Sequence, residues 1–335
     1  MKTDNIEFSP IDLERKITGR QLYSKVQDAS FSAEGYWGYR VDENLKHIWL
    51  NPRPSADAFE SIYANYYTHQ TSDDSRTLLR RIISYILCRD KKYPGLPNYS
   101  MIQKALSFVP SIREHAYLDV LNLPYPPNGR SILDIGCGNG MFLVRMQSYG
   151  WKVCGVDPDV GALKNLKSVG IEAYSDLADI SEKFDYVILS HVIEHVPDPI
   201  ATLKGIRSAL REGGKLIIVT PNSCSLGSKI FKGCWRGLEP PRHFNIFSKD
   251  SLKFSLEKSG YRIHEITTTS RLARGFFYVS LLTFFGMKKI ELRKQNMVIR
   301  NLIKVCSYIF QALEFFINKK NSNLGEEIFC VSTIK

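Results

Sequence analysis

With 335 residues, 44% of them hydrophobic and 24% charged, the chain has a globular composition and the length for one large core with appendages. Its formal net charge of +11 suits nucleic acid, a membrane surface or an anionic substrate, and the placing of that charge decides among them. The seven cysteines, Cys88, Cys137, Cys154, Cys224, Cys234, Cys306 and Cys330, are odd in number and lack a C-x-x-C pair. That argues against a disulfide framework or zinc ribbon and for reduced thiols in a cytoplasm.

In chain order, the opening MKTDNIEFSPIDLERK has no apolar run, so no signal peptide is read there. Residues 36–50 read as two short strands around a DEN turn, followed by LNPRP and a short helix from Ser55 through Tyr67. Residues 74–92 and 100–121 are amphipathic, with Leu78, Leu79, Ile82, Ile83, Ile86 and Leu87 on one face. PYPPNG at 124–129 marks a domain boundary.

A β–α alternation follows. Strands are expected at SILDIG (131–136), WKVCGVD (151–157), GIEAYS, FDYVILS (184–190), KLIIVT (215–220) and YRIHEITTT (261–269). A helix over 199–212 should end at Gly213-Gly214, and Ser248 should cap another that runs to Gly260. Continuous apolar strands separated by helices imply a mostly parallel sheet covered on both faces.

Strand, Gly136-Cys137-Gly138-Asn139-Gly140, then helix puts three glycines where side chains would obstruct a ligand. The spacing is neither G-x-G-x-x-G nor a Walker loop, so a bound phosphate is not the obvious ligand. Asp157 ends the second strand about 20 residues on, where a carboxylate can accept both hydroxyls of a ribose.

LDIGCGNG, VDPD, FDYVILSHVIEHVPDP, LREGGKLIIVTPN and EPPRHFNIFS together resemble the class I S-adenosylmethionine-dependent methyltransferases. The likeness is to the broad group that includes ubiquinone-pathway O-methyltransferases and bacterial small-molecule and glycan methyltransferases, and it covers residues 129–270. It implies a Rossmann-like, doubly wound seven-stranded sheet with an antiparallel last strand, and S-adenosyl-L-methionine as cofactor. By the same resemblance Asp134 and the backbone of Gly136 and Gly138 position the methionine end and Asp157 holds the ribose; Gly140 of the same turn and Ser190, leaving the fourth strand, are further cofactor-binding candidates. Asp176 is the candidate for the adenine amino group, with Asp179 or a plain turn as alternatives. LNPRP…IYANYY is similar to an N-terminal extension that often carries a zinc knuckle; no cysteine precedes Cys88, so this extension is degenerate.

HVIEH at 191–195 formally matches the zinc-peptidase pattern H-x-x-E-H. Pro197 and Pro199 leave room for only about one helical turn there, which excludes two histidines on one face of a regular helix. Structural hydrogen bonding by Glu194 and His195, an acceptor pocket lined by Glu194 and His195 with Ser190 and His191 at the cofactor's edge, and a divalent cation remain open; His191 and His195 stand with His243 as catalytic candidates. The ubiquinone-pathway relatives resemble E-x-x-E-H here; with His191 in place of the first glutamate, no metal is assigned. His243, on the proline-stiffened LEPPRHFNIFS loop beside Arg242 and near Trp235, is the preferred general base for a hydroxyl acceptor, with loop hydrogen bonding as its alternative.

Between Arg271 and Gly325 ten Lys or Arg stand against Glu291 and Glu314, so the segment holds +8 of the +11. GFFYVSLLTFFGM is too short to span a bilayer. Ile299, Leu302, Cys306, Ile309, Leu313 and Phe316 recur at three- and four-residue steps, with Arg300, Lys304, Gln311 and Glu314 opposite. An anionic membrane surface, a lid or homodimer contact, and plain packing on the domain are all open. Nucleic acid is not expected, since the aromatics do not interleave with the basic residues.

The expected organisation is an N-terminal extension (1–73), a helical cap or linker (74–128), the core (129–270), a basic helical insertion (271–324) and a final strand (325–335). The expected function is methylation of a hydroxyl on a sugar, a lipid-linked glycan or another small acceptor. The rivals are a metal-assisted enzyme acting on a quinol-like lipid and a non-catalytic cofactor-binding or membrane-scaffold subunit. A cytoplasmic setting, peripheral on the inner membrane face, goes with the expected function.

Overall fold

The computed structural model describes residues 3–28, 33–55, 62, 78–96, 98–126, 129–287 and 297–335, with 297–300 by backbone only. The expected helix from Ser55 to Tyr67 lies almost wholly outside the described residues. The N-terminal region holds β1 (Thr3–Asp4), β2 (Arg20–Val26), β3 (Trp37–Val41), β4 (Ile48–Leu50) and β5 (Arg53–Pro54). Next come α1 (Leu78–Lys91), α2 (Met101–Leu106) and α3 (Pro110–Asp119), then β6 (Ser131–Ile135), α4 (Met141–Ser148) and β7 (Lys152–Val156). The alternation continues through α5 (Val160–Ser168), β8 (Glu172–Tyr174), β9 (Phe184–Ser190), α6 (Pro199–Ile206) and β10 (Leu210–Pro221). Last are α7 (Leu226–Phe231), β11 (Asn245–Ile246), α8 (Lys249–Lys258), β12 (Tyr261–Thr269), α9 (Ala273–Phe284), α10 (Met297–Lys320) and β13 (Glu327–Ile334).

Seven strands form one sheet in the order β12-β13-β10-β9-β6-β7-β8. β6 pairs in parallel with β7 and β9, and β7 with β8, whereas β13 runs antiparallel to β12. The sheet therefore grows one way from β6 through β7 and β8, then reverses to the other side at β9. In parallel sheets, ligands bind beyond the carboxyl ends of the strands at such a reversal. The Rossmann-like expectation, antiparallel last strand included, is met.

By its contacts the chain divides into two units. One comprises residues 67–190 and 208–217; the other comprises 1–66, 191–207 and 218–335. Within the first, Ile132, Leu133, Val187, Ile188 and Leu189 are fully buried, as continuous apolar strands require. Ile82, Ile83, Ile86 and Leu87 bury one face of α1, but Leu78 and Leu79, expected on that face, are exposed. In the second unit a four-stranded sheet, β11-β4-β3-β2, shares a core with Phe231, Trp235, Leu238 and Phe244.

Two boundaries differ from expectation. The 100–121 helix is split into α2 and α3, with Pro110 at the first position of α3. Proline lacks the N–H that a helix interior needs but suits a first turn. The 199–212 helix stops at Ile206, and Gly213-Gly214 lies inside β10. Gly213 has φ +70°, and a Cβ on Gly214 would come 3.0 Å from the carbonyl oxygen of Phe184. The pair bends a strand through a close backbone approach rather than ending a helix.

Within the insertion, α10 is apolar on two faces, one packed inward and one left exposed. Its inward side carries buried Ser307, Glu314 and Asn318 as well as Ile303, Phe310 and Phe315. Asn318 Nδ2 donates to Thr268 O (2.8 Å), and Glu314 Oε1 accepts from Glu326 N (2.9 Å). Gln311 donates to the carbonyls of Ser270 and Arg271. Leu302, Ile309, Leu313 and Phe316 face outward.

Candidate functional site

The glycine turn in the first unit is built by conformation. Gly136, Gly138 and Gly140 have φ of +72°, +52° and +72°, the left-handed region that side chains disfavour. Gly140 stands at the start of α4, where a Cβ would lie 2.2 Å from Leu166 Cδ2. A Cβ on Gly138 would meet no protein atom within 4 Å, so this backbone borders open space. The turn is pinned to β7, with Gly136 N donating to Val156 O at 2.7 Å.

Asp157 follows β7 and is buried. Its Oδ2 accepts the Gly138 N–H (2.7 Å) and its Oδ1 the Asp159 N–H (2.9 Å). Each oxygen keeps lone-pair capacity for a hydroxyl pair. Burial raises the Asp157 pKa, against the pull of these two N–H groups. Asp134, inside β6, is buried too, and burial with the nearby Asp157 charge lifts it to about 8. An open glycine cradle, an aimed carboxylate and a second acid needing a cation to ionise fit a ribosyl sulfonium with an amino-acid tail. Ser190 closes β9 and is half-buried. Asp176 is exposed and caps one short turn, accepting from Ala178 N at 2.9 Å.

The second unit holds the histidines. Residues 191–195 form a turn, not a helix. His191, at φ +58°, presents Nε2 to Glu327 Oε1 (2.8 Å) and Nδ1 to Glu194 Oε1 (3.2 Å). Burial alone would lower its pKa, but hydrogen bonds and charge from these two glutamates carry it to about 9. Glu327 is fully buried; against that burial, Arg271 (2.9 Å) and His191 hold it at about 2. Thr220 Oγ1 donates to Glu194 Oε2 at 2.9 Å. His191 is thus an imidazolium held between buried carboxylates, its Nε2 donating to Glu327 and its Nδ1 within ion-pair distance of Glu194.

His195 and His243 differ from it. His195 Nδ1 donates to Arg242 O (3.1 Å) and His243 Nδ1 to Gly237 O (2.7 Å), so neutral rings carry their lone pairs on Nε2. The rings meet edge to face, 4.6 Å between centroids. Burial lowers both pKa values, that of His243 well below the usual range. The loop is stiffened by Arg242, fully buried and paired with Asp28 (2.7 Å) and Glu239 (3.2 Å). It is tied to the 191–198 segment by Phe244 N to Glu194 O (2.8 Å) and Asn245 Nδ2 to Val196 O (2.7 Å). Glu194, His195 and His243 each offer one ligand atom within 4.8 Å of the others, a grouping the sequence spacing did not reveal.

Sequence reasoning also missed Glu326 and Glu327. Two acids opening a buried strand were the available signal, because a buried carboxylate demands a partner. Glu327 answers His191 and Arg271; Glu326 accepts from Trp235 Nε1 (2.8 Å) and Gly227 N (2.9 Å).

Strand order, glycine turn and aspartate are similar to those of class I S-adenosylmethionine-dependent methyltransferase domains. A methyltransferase-domain family model matches residues 111–266 of the chain. Over 115 residues the chain is 35% identical to the ubiquinone biosynthesis O-methyltransferase of Cereibacter sphaeroides, covering 30% of this chain and 45% of that protein. It is 33% identical over 155 residues to the tRNA U34 carboxymethyltransferase of Campylobacter curvus, covering 43% and 52%. The chain spans about half the length of the curated relatives it matches. Among solved structures, a SAM-dependent methyltransferase from Archaeoglobus fulgidus aligns over 74% of this chain and 99% of its own, at 23% identity and a TM-score of 0.41. Coclaurine N-methyltransferase bound to N-methylheliamine and SAH aligns over 82% of each chain, at 15% identity and a TM-score of 0.44.

Proposed function

We propose that this chain is a S-adenosylmethionine-dependent methyltransferase that methylates a hydroxyl of a sugar, a lipid-linked glycan or another small acceptor. The observation that carries the cofactor is Asp157, aimed by the Gly138 N–H beside a turn that opens onto unfilled space. When bound, the cofactor supplies a methyl group made electrophilic by its sulfonium. Asp157 would accept the ribose hydroxyls, the Gly136–Gly140 turn would let the nucleoside approach the backbone, and Asp134, once ionised, would hold the methionine ammonium. An acceptor hydroxyl would have to give up its proton to a base, and His243 Nε2 is the candidate for that role. His243 is suited to this because its Nδ1–H is committed to Gly237 O and burial keeps the ring neutral. Arg242, locked by Asp28 and Glu239, fixes the loop that carries it.

Calorimetry with S-adenosylmethionine and its demethylated product, followed by mass spectrometry of extracts given a labelled methyl donor, tests this reading. Uptake of neither compound overturns it. A second reading, metal-assisted transfer to a quinol-like lipid, is favoured by the grouping of Glu194, His195 and His243. Two imidazoles and one carboxylate, with both Nδ1 atoms anchored on carbonyls, suit a transition metal better than magnesium. Turnover undiminished by a chelator removes it.

A further inference from the structure

We infer that the outward face of α10 docks the protein on an anionic membrane surface. The inference does not depend on the proposed reaction. An ordinary surface helix has one apolar face and buries it, whereas α10 buries Ile303, Phe310 and Phe315, is fastened further through Gln311, Glu314 and Asn318, and still leaves a second apolar stripe in solvent. Leu302, Val305, Ile309, Leu313 and Phe316 follow one another at three- and four-residue steps, each more than half exposed. Phe284 and Phe285, at the end of α9, add two aromatic rings about as exposed. A contiguous apolar face of this kind on a folded domain marks an interaction surface.

Charge selects the occupant. Among the described residues of α9 and α10, the exposed charged side chains are Arg274, Lys304, Lys319 and Lys320, all cationic. The one acid, Glu314, is turned inward and bonded to Glu326 N. Arg274, Gly275, Tyr278, Lys304, Ser307 and Tyr308 line a groove of about 440 Å³ between the two helices. Arg274 lies 4.6 Å over the Tyr308 ring and donates to its hydroxyl. Apolar side chains beside a cationic groove suit acyl chains beneath anionic headgroups. A second copy would bring the same cations against one another. No helix among the described residues is long and apolar enough to cross a membrane, so α10 would lie along the surface.

The test is cosedimentation of the full chain with phosphatidylcholine vesicles, with and without an equal share of phosphatidylglycerol, at low and high salt. The expected result is binding to the anionic vesicles at least about tenfold tighter than to neutral ones, weakened by salt. The double substitution Ile309→Gln with Leu313→Gln should abolish it while leaving the melting temperature unchanged. Lys319→Gln with Lys320→Gln should reduce the preference for anionic lipid. The inference is overturned if the wild type stays in the supernatant, binds both vesicle types equally, or is unaffected by the Ile309/Leu313 pair. Light scattering that shows a dimer, made monomeric by that pair and indifferent to vesicles, would assign the face to a second copy instead.

Discussion

The Gly138 main-chain N–H donates to Asp157 Oδ2 at 2.7 Å, so the turn proposed to make room for the cofactor also aims the acid proposed to hold it. The two functions cannot be separated by moving either residue alone. Gly138→Ala meets no steric wall, but it places a side chain at φ +52° and in the space the ligand needs. Asp157→Asn keeps the shape and loses the charge. Both should weaken S-adenosylmethionine binding by about tenfold or more, a step of roughly 1.4 kcal/mol. Calorimetry would show it, and affinity equal to wild type in both variants would refute the assignment.

Binding should release a proton. Asp134 has a pKa of about 8 in the ligand-free protein, so at pH 7 it is mostly neutral. In its proposed role Asp134 would hold the ammonium of the cofactor as the carboxylate. Below about pH 8 that proton must leave, and affinity should fall as pH drops from 8 to 6. Titrations in two buffers of different ionisation heat measure the release; Asp134→Asn should erase it.

His191 should stabilise the fold rather than turn over substrate. Its pKa is raised to about 9, so its contribution is complete below pH 6.5 and is lost as pH rises through 9. Glu327 is depressed to about 2, so its contribution is complete above pH 4.5 and is lost as pH falls through 2. The pair therefore contributes most between pH 4.5 and 6.5. His191→Asn keeps a residue that tolerates positive φ but leaves two buried carboxylates short of a cation, at a cost of about 3 kcal/mol. Thermal melts across pH should show the deficit shrinking above pH 9.

His243→Gln should leave cofactor affinity nearly intact and lower kcat by about 10²-fold or more. The His243 pKa lies well below 6.5, so the base form prevails at neutrality and protonation stops it only well on the acid side. The wild-type kcat should accordingly be flat from pH 7 downward until that point. A fall in kcat centred near 6.5 would point to a different base.

Much of the fold was legible because buried parallel strands write themselves as apolar runs. FDYVILS gave β9 to the residue by such a run, whereas YRIHEITTT, a partly exposed edge strand, was read from its β-branched residues after a capped helix. β2 went unread, since RQLYSKV is mostly exposed and carries no such run. Gly213-Gly214 looked like a helix stop because a glycine pair has the same appearance in a bent strand. The stripe on α10 was visible, but not that Glu314 and Asn318 would turn inward, because their partners Thr268, Gly325 and Glu326 lie on other elements. At the site, the glycines and Asp157 came from local spacing. The His191–Glu327 and Arg242–Asp28 pairs span 136 and 214 residues, distances over which sequence spacing carries no signal.

The inner position of β13 constrains how the sheet is assembled. β10 and β12 precede residues 327–334 in the chain, and β13 lies between them. Without β13 each would offer a bare hydrogen-bonding edge, and the second unit would lack the carboxylate that neutralises His191 and Arg271. Closure must wait for the whole 271–324 excursion to be made, so damage to that excursion would leave two strands open to pairing with a stranger.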